Sequence, residues 1–166
     1  MVGDRLLRDL RGQREVVIPE GVRTIKGHWF WKSEVEDVEV PASVRRIDAR
    51  AFYECYKLKR VSFRPGSRLE SIGEECFHKS GIAEIALPDT LKSIEYDAFA
   101  ECRSLRHIRL PEGLAFIGRH GFWDCALESV ELPGSLRTVG EGAFAWCASL
   151  KSVRLCEGLE ALGADR

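Results

Sequence analysis

The stretch DAFAECRSLRHIRLPEGL, Asp97–Leu114, decides the reading of the chain, because GAFAWCASLKSVRLCEGL, Gly142–Leu159, is nearly the same phrase in other letters. Anchored on its Phe, the phrase recurs at Phe30, Phe52, Phe77, Phe99, Phe122 and Phe144, at intervals of 22, 25, 22, 23 and 22 residues. Five residues before each stands Ile25, Ile47, Ile72, Ile94, Ile117 or Val139, and three before those Val22, Val44, Leu69, Leu91, Leu114 or Leu136. Three residues after each Phe stands Ser33, Cys55, Ser80, Cys102, Cys125 or Cys147. An apolar alternation and a proline follow, as in VEVP, VSFRP, IALP, IRLP and VELP; the long interval holds an extra Arg64 and an extra residue in GSRL. Val2-Gly3, Leu6-Leu7 and Leu10 open the phase, and Cys156 (at the proline place), Leu159 and Leu162-Gly163 close it. Residues 1–166 thus read as one domain of seven turns of about 22–23 residues.

A period in the twenties implies a solenoid in which each turn stacks on its neighbours. The pattern Leu105, Ile108, Leu110 alternates with period two, as a strand does. The proline after it cannot donate to a ladder and ends the strand. Leu114, Ile117 and Gly118 read as a shorter extended piece on the opposite wall, and the A-F-x-x-C segment as a helical turn or 3-10 corner. Parallel strands about 4.8 Å apart would pile equivalent side chains into columns, giving a β-rich repeat solenoid of stacked parallel strands.

The unit I-G-x-x-A-F-x-x-C-x-x-L-x-x-V-x-L-P-x-x-L resembles the BspA-type (Treponema pallidum type) leucine-rich repeat over nearly the whole chain. The sequence contains no asparagine, so the Asn ladder of common leucine-rich repeats is absent, as this subtype implies. The resemblance implies surface-displayed arrays that bind host or matrix proteins without catalysis or cofactor.

Bulk composition narrows the function classes. Apolar residues are 45% and charged residues 31%, and 25 Lys plus Arg face 26 Asp plus Glu. Such a balance supplies no field to draw nucleic acid or an acidic membrane. The start, MVGDRLLRDLRGQREVV, has no apolar run like that of a signal peptide, and nothing approaches the roughly 20 apolar residues of a membrane span. The expected compartment is cytoplasmic if the chain is complete, and cell-surface or secreted if it is a piece of a family-typical protein. Both ends stop in mid-phase without a recognisable cap. The expectation is therefore part of a longer array, or ends that pair, including end to end with a second copy.

A finer beat lies inside the repeat. Counted from Leu7, the gap from each corner residue to the central strand residue runs 9, 8, 9, 8, 9, 8, 9. Outward strand charges follow it. The short turns carry Glu36, Asp37 and Glu39, then Glu84, then Glu128 and Glu131; the long ones carry Lys59 and Arg60, then Arg106, His107 and Arg109, then Lys151 and Arg154. Opposite charges on adjacent strands stabilise mildly, so the striped face reads two ways: as register and solubility, or as a docking surface for a protein partner.

No chemistry assembles from the remaining letters. Of the six cysteines, Cys55, Cys102, Cys125 and Cys147 share one repeat position and Cys76 takes an alanine position, as small core residues would. No C-x-x-C pair exists, so no zinc site is expected. Cys156, at the proline place, is the candidate for an exposed thiol. His28, His78, His107 and His120 fall at four repeat positions and build no catalytic set. The position after each anchor Phe should face outward, making an aromatic ridge of Trp31, Tyr53, His78 and Trp123, with Trp29 and Trp146 nearby. The expected function is a non-catalytic protein-binding or adhesion module acting through the strand face or the ridge. The alternatives are a structural spacer and, more distantly, a carbohydrate-binding surface.

Overall fold

The computed structural model describes residue 10 and residues 12–163. Of the first turn of the sequence reading, Val2-Gly3 and Leu6-Leu7 lie outside them. Among the described residues the strands are β1 (Glu15–Val17), β2 (Thr24–Ile25), β3 (Asp37–Val40), β4 (Arg46–Ile47), β5 (Arg60–Phe63), β6 (Ser71–Ile72) and β7 (Glu84–Ile85). They continue with β8 (Ser93–Ile94), β9 (Phe116–Ile117), β10 (Ser129–Glu131), β11 (Thr138–Val139), β12 (Ser152–Arg154) and β13 (Ala161–Leu162). All pairs are parallel. One wall is an unbroken seven-stranded sheet, β2-β4-β6-β8-β9-β11-β13, made of two-residue pieces. The strand face opposite is divided into β1-β3-β5-β7 and β10-β12.

Between the walls run the columns that the repeat demands. Ile25, Ile47, Ile72, Ile94 and Ile117 are fully buried, as are Phe30, Phe52, Phe77, Phe99 and Phe122. The rings from Phe30 to Phe144 form one file, with neighbouring centroids 4.9, 5.1, 5.0, 5.1 and 5.4 Å apart and planes within 15° of parallel. That spacing is close to the distance between hydrogen-bonded strands, so each coil's ring lies flat on the next. In the last coil Val153, Leu155 and Leu162 are exposed.

The corners differ from the expected helical or 3-10 turn. Two residues before and two after each anchor Phe the backbone enters the left-handed region, at His28 and Lys32, Arg50 and Glu54, Glu75 and Lys79, Asp97 and Glu101, and His120 and Asp124. The last corner repeats this with Gly142 and Trp146. A left-handed residue costs about 1–2 kcal/mol outside glycine, and what offsets it is visible in the hydrogen bonds. The amides of Phe52, Glu54, Phe77 and Lys79 donate to the carbonyls of Cys76, His78, Ala98 and Ala100 in the following coil, at 2.8, 2.8, 2.7 and 2.9 Å. Those of Tyr53 and Cys55 bond back within their own turn, to Arg50 and Phe52. Alternate N–H groups thus point along the solenoid axis, and the corner becomes a third inter-coil ladder. A helical turn would keep those donors to itself.

Candidate functional site

The strand face is where side chains stand outward on a rigid frame. Its charges pair across coils at one end: Glu36 lies 3.5 Å from Arg14 and 2.6 Å from Lys59, and Asp37 lies 2.9 Å from Arg60. Arg64 bonds Glu39. The hydrogen bond from Lys59, above all, holds the Glu36 carboxyl below its ordinary pKa. Farther along, Arg106 meets Glu128 at 3.4 Å and Arg154 meets Glu131 at 3.1 Å, while Arg109 turns to Asp89 at 3.5 Å. Exposed pairs of this kind contribute about 0–1 kcal/mol each. Among the described residues Glu84, His107 and Lys151 are exposed and join no ion pair within 4 Å.

The alternation lapses in the middle of the face. Register places Glu39 beside Ser62, Ala86 beside Arg109, and Glu131 beside Arg154, so long side chains give way to Ser62 and Ala86 for two coils. Ala83 and Ser104 are also small and exposed there. Cross-strand side-chain pairs are what hold a sheet together. Beside these small residues the ladder between 83–86 and 106–109 is the single bridge Ala86–Arg109. The centre of the next strand is therefore uncovered: Ile108 is half-buried, whereas its equivalents Val38, Val61, Ile85 and Val130 are buried. The result is an open trough of about 880 Å³ lined by Arg60, Phe63, Ala86, Arg106, Ile108 and Arg109, among others.

The aromatic positions divide into separate groups. Tyr53 stacks on His78 with centroids 5.0 Å apart, and Arg50 lies over Tyr53. Trp31 is 44% exposed, meets His28 edge-on and carries Lys32 over its ring. Trp123 leans on His120, which also touches Tyr96. The expected uniform outward exposure does not hold: Tyr53 and His78 are half-buried against each other across coils, Trp123 is half-buried against His120 of its own turn, and Ala100 is fully buried. His78 Nδ1 is buried without a partner, and burial lowers the ring's pKa against the pull of Glu101, 3.7 Å from Nε2.

Counting from the Phe anchor also locates charge ladders that the strand-centred reading missed. Two residues after it, Lys32 meets Glu54 at 3.1 Å and Lys79 meets Glu101 at 3.4 Å. Two residues before it, Arg50 Nε and Nη2 donate to Glu75 at 3.1 and 2.8 Å, and His120 faces Asp97 at 3.4 Å. The available signal was the alternation in sign of Lys32, Glu54, Lys79 and Glu101 at the later offset, and the change from Arg50 to Glu75 at the earlier one.

The six cysteines stand outside any disulfide, and all but Cys156 are buried. The thiols of Cys55, Cys102, Cys125 and Cys147 donate to the anchor-Phe carbonyl of the preceding coil, at 2.7, 3.1, 3.0 and 3.1 Å. The motif's cysteine is therefore a donor as well as filling. Cys102→Ala should cost about 1–2 kcal/mol in urea unfolding, and Cys102→Ser, which keeps a donor, should cost less. Cys156 is half-buried and its thiol points to the Leu136 carbonyl at 3.6 Å. Burial pushes the Cys76 and Cys125 thiols well up, the opposite of an activated nucleophile. Among the described residues no group of three His, Cys, Asp or Glu comes together as a metal site, and no helix is long and apolar enough to cross a membrane.

Two walls of parallel strands joined by short turns around stacked Leu, Ile and Phe columns define a leucine-rich repeat solenoid. Residues 2–84 and 70–165 match the BspA type leucine rich repeat region, in six copies, and the chain belongs to that family. Among solved structures it is similar to a Treponema pallidum leucine-rich repeat protein, at 34% identity and TM-score 0.84, covering 92% of this chain and 74% of that one. It is also similar to a Bacteroides ovatus leucine-rich repeat protein, at 28% identity and TM-score 0.64, covering 91% and 36%. The pneumococcal vaccine antigen PcpA matches at 25% identity and TM-score 0.79, covering 89% and 42%. Among curated proteins none matches the chain.

Proposed function

We propose that the chain is a non-catalytic protein-binding module of the adhesion type, whose recognition surface is the strand face from Glu36 to Arg154. The observation that carries this reading is the contrast between the two walls: one is an unbroken sheet of two-residue pieces, the other an interrupted face whose exposed charges and apolar trough break its own pattern. A spacer would need neither. Family membership supports a repeat module, and the burial that pushes the Cys76, Cys125 and Cys147 thiols up favours no covalent chemistry.

The test is selection of a random peptide library on the immobilised chain, in parallel with a variant carrying Lys59→Glu, Arg106→Glu, Glu128→Lys and Lys151→Glu. Peptides enriched on the wild type and lost on the variant are expected. No enrichment, or enrichment indifferent to these substitutions, overturns the strand face as the recognition surface.

A further inference from the structure

Resting on that reading, we infer that the trough at the break in the strand face takes an extended acidic segment of a partner protein, its carboxylates on the arginines and its apolar side chains on the floor.

Three features converge there. First, bulk is missing where the repeat would put it. Ser62 and Ala86 stand in the column that begins with Val17 and that Glu39, Arg109, Glu131 and Arg154 fill with long side chains. Second, the floor is apolar and uncovered: Ile108 is half-buried at a place where Val38, Val61 and Val130 are buried, and Phe63 is half-buried beside it. Water over such a floor is released when an apolar side chain covers it. Third, the charge of the lining is unbalanced. Arg60, Arg106 and Arg109 border the trough and Glu84 is the one acid among its lining residues.

The three guanidiniums already meet Asp37, Glu128 and Asp89, at 2.9, 3.4 and 3.5 Å. The side chains of Arg60, Arg106 and Arg109 are 61%, 69% and 70% exposed, so these are weak, screened pairs. Each guanidinium has five donors in a planar fork, which leaves it free to take a second carboxylate. An extended chain, rising about 3.3 Å per residue with side chains alternating between faces, can set apolar groups on Ile108 and Phe63 while its acids reach outward to the rim. An apolar floor and Glu84 argue against a phosphate backbone, which would want neither.

Fluorescence anisotropy with three labelled peptides of about ten residues tests this: alternating Glu-Leu, alternating Lys-Leu and alternating Glu-Ser. The first should bind the wild-type chain, and the other two about tenfold more weakly or worse, since each lacks one of the two contacts. Ala86→Trp, which fills the trough from an exposed position and leaves the core untouched, should abolish binding. Glu84→Gln, which removes the opposing charge, should tighten it by about two- to fivefold; far-ultraviolet circular dichroism checks that both variants are folded. Glu-Leu binding unchanged in Ala86→Trp overturns the proposal, as do equal affinity for Lys-Leu and displacement by a single-stranded oligonucleotide at equal concentration. If the Glu-Leu peptide fails to bind while library selection still yields peptides dependent on the strand face, the trough assignment falls and the protein-binding reading stands.

Discussion

Phe77→Ala is expected to lower the unfolding free energy by about 3–5 kcal/mol, a large part of the roughly 5–15 kcal/mol that holds a domain together. Phe77 is fully buried in mid-file, with Phe52 5.1 Å below and Phe99 5.0 Å above. Truncation opens a cavity between two stacked rings, and neither can close it without leaving its own coil. Because each coil touches only its neighbours, the loss also weakens the coupling between the two halves of the solenoid. The same change at Phe144, which is half-buried and stacks on the Phe122 side, should cost about half as much. Urea unfolding reads both values. A Phe77→Ala loss below about 1 kcal/mol, or one equal to that at Phe144, would contradict a continuous ring column.

Gly81→Ala should destabilise by about 1–3 kcal/mol, reversing the gain of about 0.4–1 kcal/mol that removing a glycine gives where its backbone is relaxed. A Cβ on Gly81 would lie 2.1 Å from the Tyr56 carbonyl oxygen and 3.1 Å from that of Leu58, and backbone cannot swing aside. The approach is fixed by the hydrogen bond from the Gly81 amide to the Cys55 carbonyl at 3.0 Å. Glu34 and Ala126 occupy the same place in the other short-gap coils, so the restriction comes from local approach and not from the repeat. Gly134, where an added Cβ would meet nothing within 4 Å and φ is not left-handed, is the control: Gly134→Ala should be neutral to stabilising. Thermal melts of the two variants should move in opposite directions.

The parts of the fold that were legible in the letters are those set by side-chain columns. The Phe, Ile and Cys positions recur at fixed offsets because stacking makes every coil solve the same packing problem, and simple counting finds them. Charge pairing on the strand face was legible for the same reason, Glu36 with Lys59 and Asp37 with Arg60 being adjacent-coil neighbours. The corners were not. Left-handed residues usually announce themselves as glycine or asparagine, but here Arg50, Glu54, Glu75 and Lys79 hold that conformation, supported by amides crossing to the next coil. Residue type carries no trace of such support. The trough was hidden differently: Leu105–Leu110 reads as a regular strand, yet its ladder is the single bridge Ala86–Arg109, and the small residues that open the trough, Ser62 and Ala86, lie in other turns, a relation that no single turn displays. The aromatic positions were found as residues but misjudged in exposure, since His78 and Trp123 lie down on neighbouring rings.

Backbone amide hydrogen exchange at the corners tests the stacking of coils most directly. The amides of Phe30, Phe52, Phe77, Phe99 and Phe122 donate to Ala51, Cys76, Ala98, Gly121 and Ala143 in the following coil at 2.7–2.9 Å. They should exchange as slowly as the strand amides, opening only with the whole solenoid. Corner amides that exchange at loop rates while the strands stay protected would contradict the three-ladder coil, and with it the rigid frame on which the strand face is built.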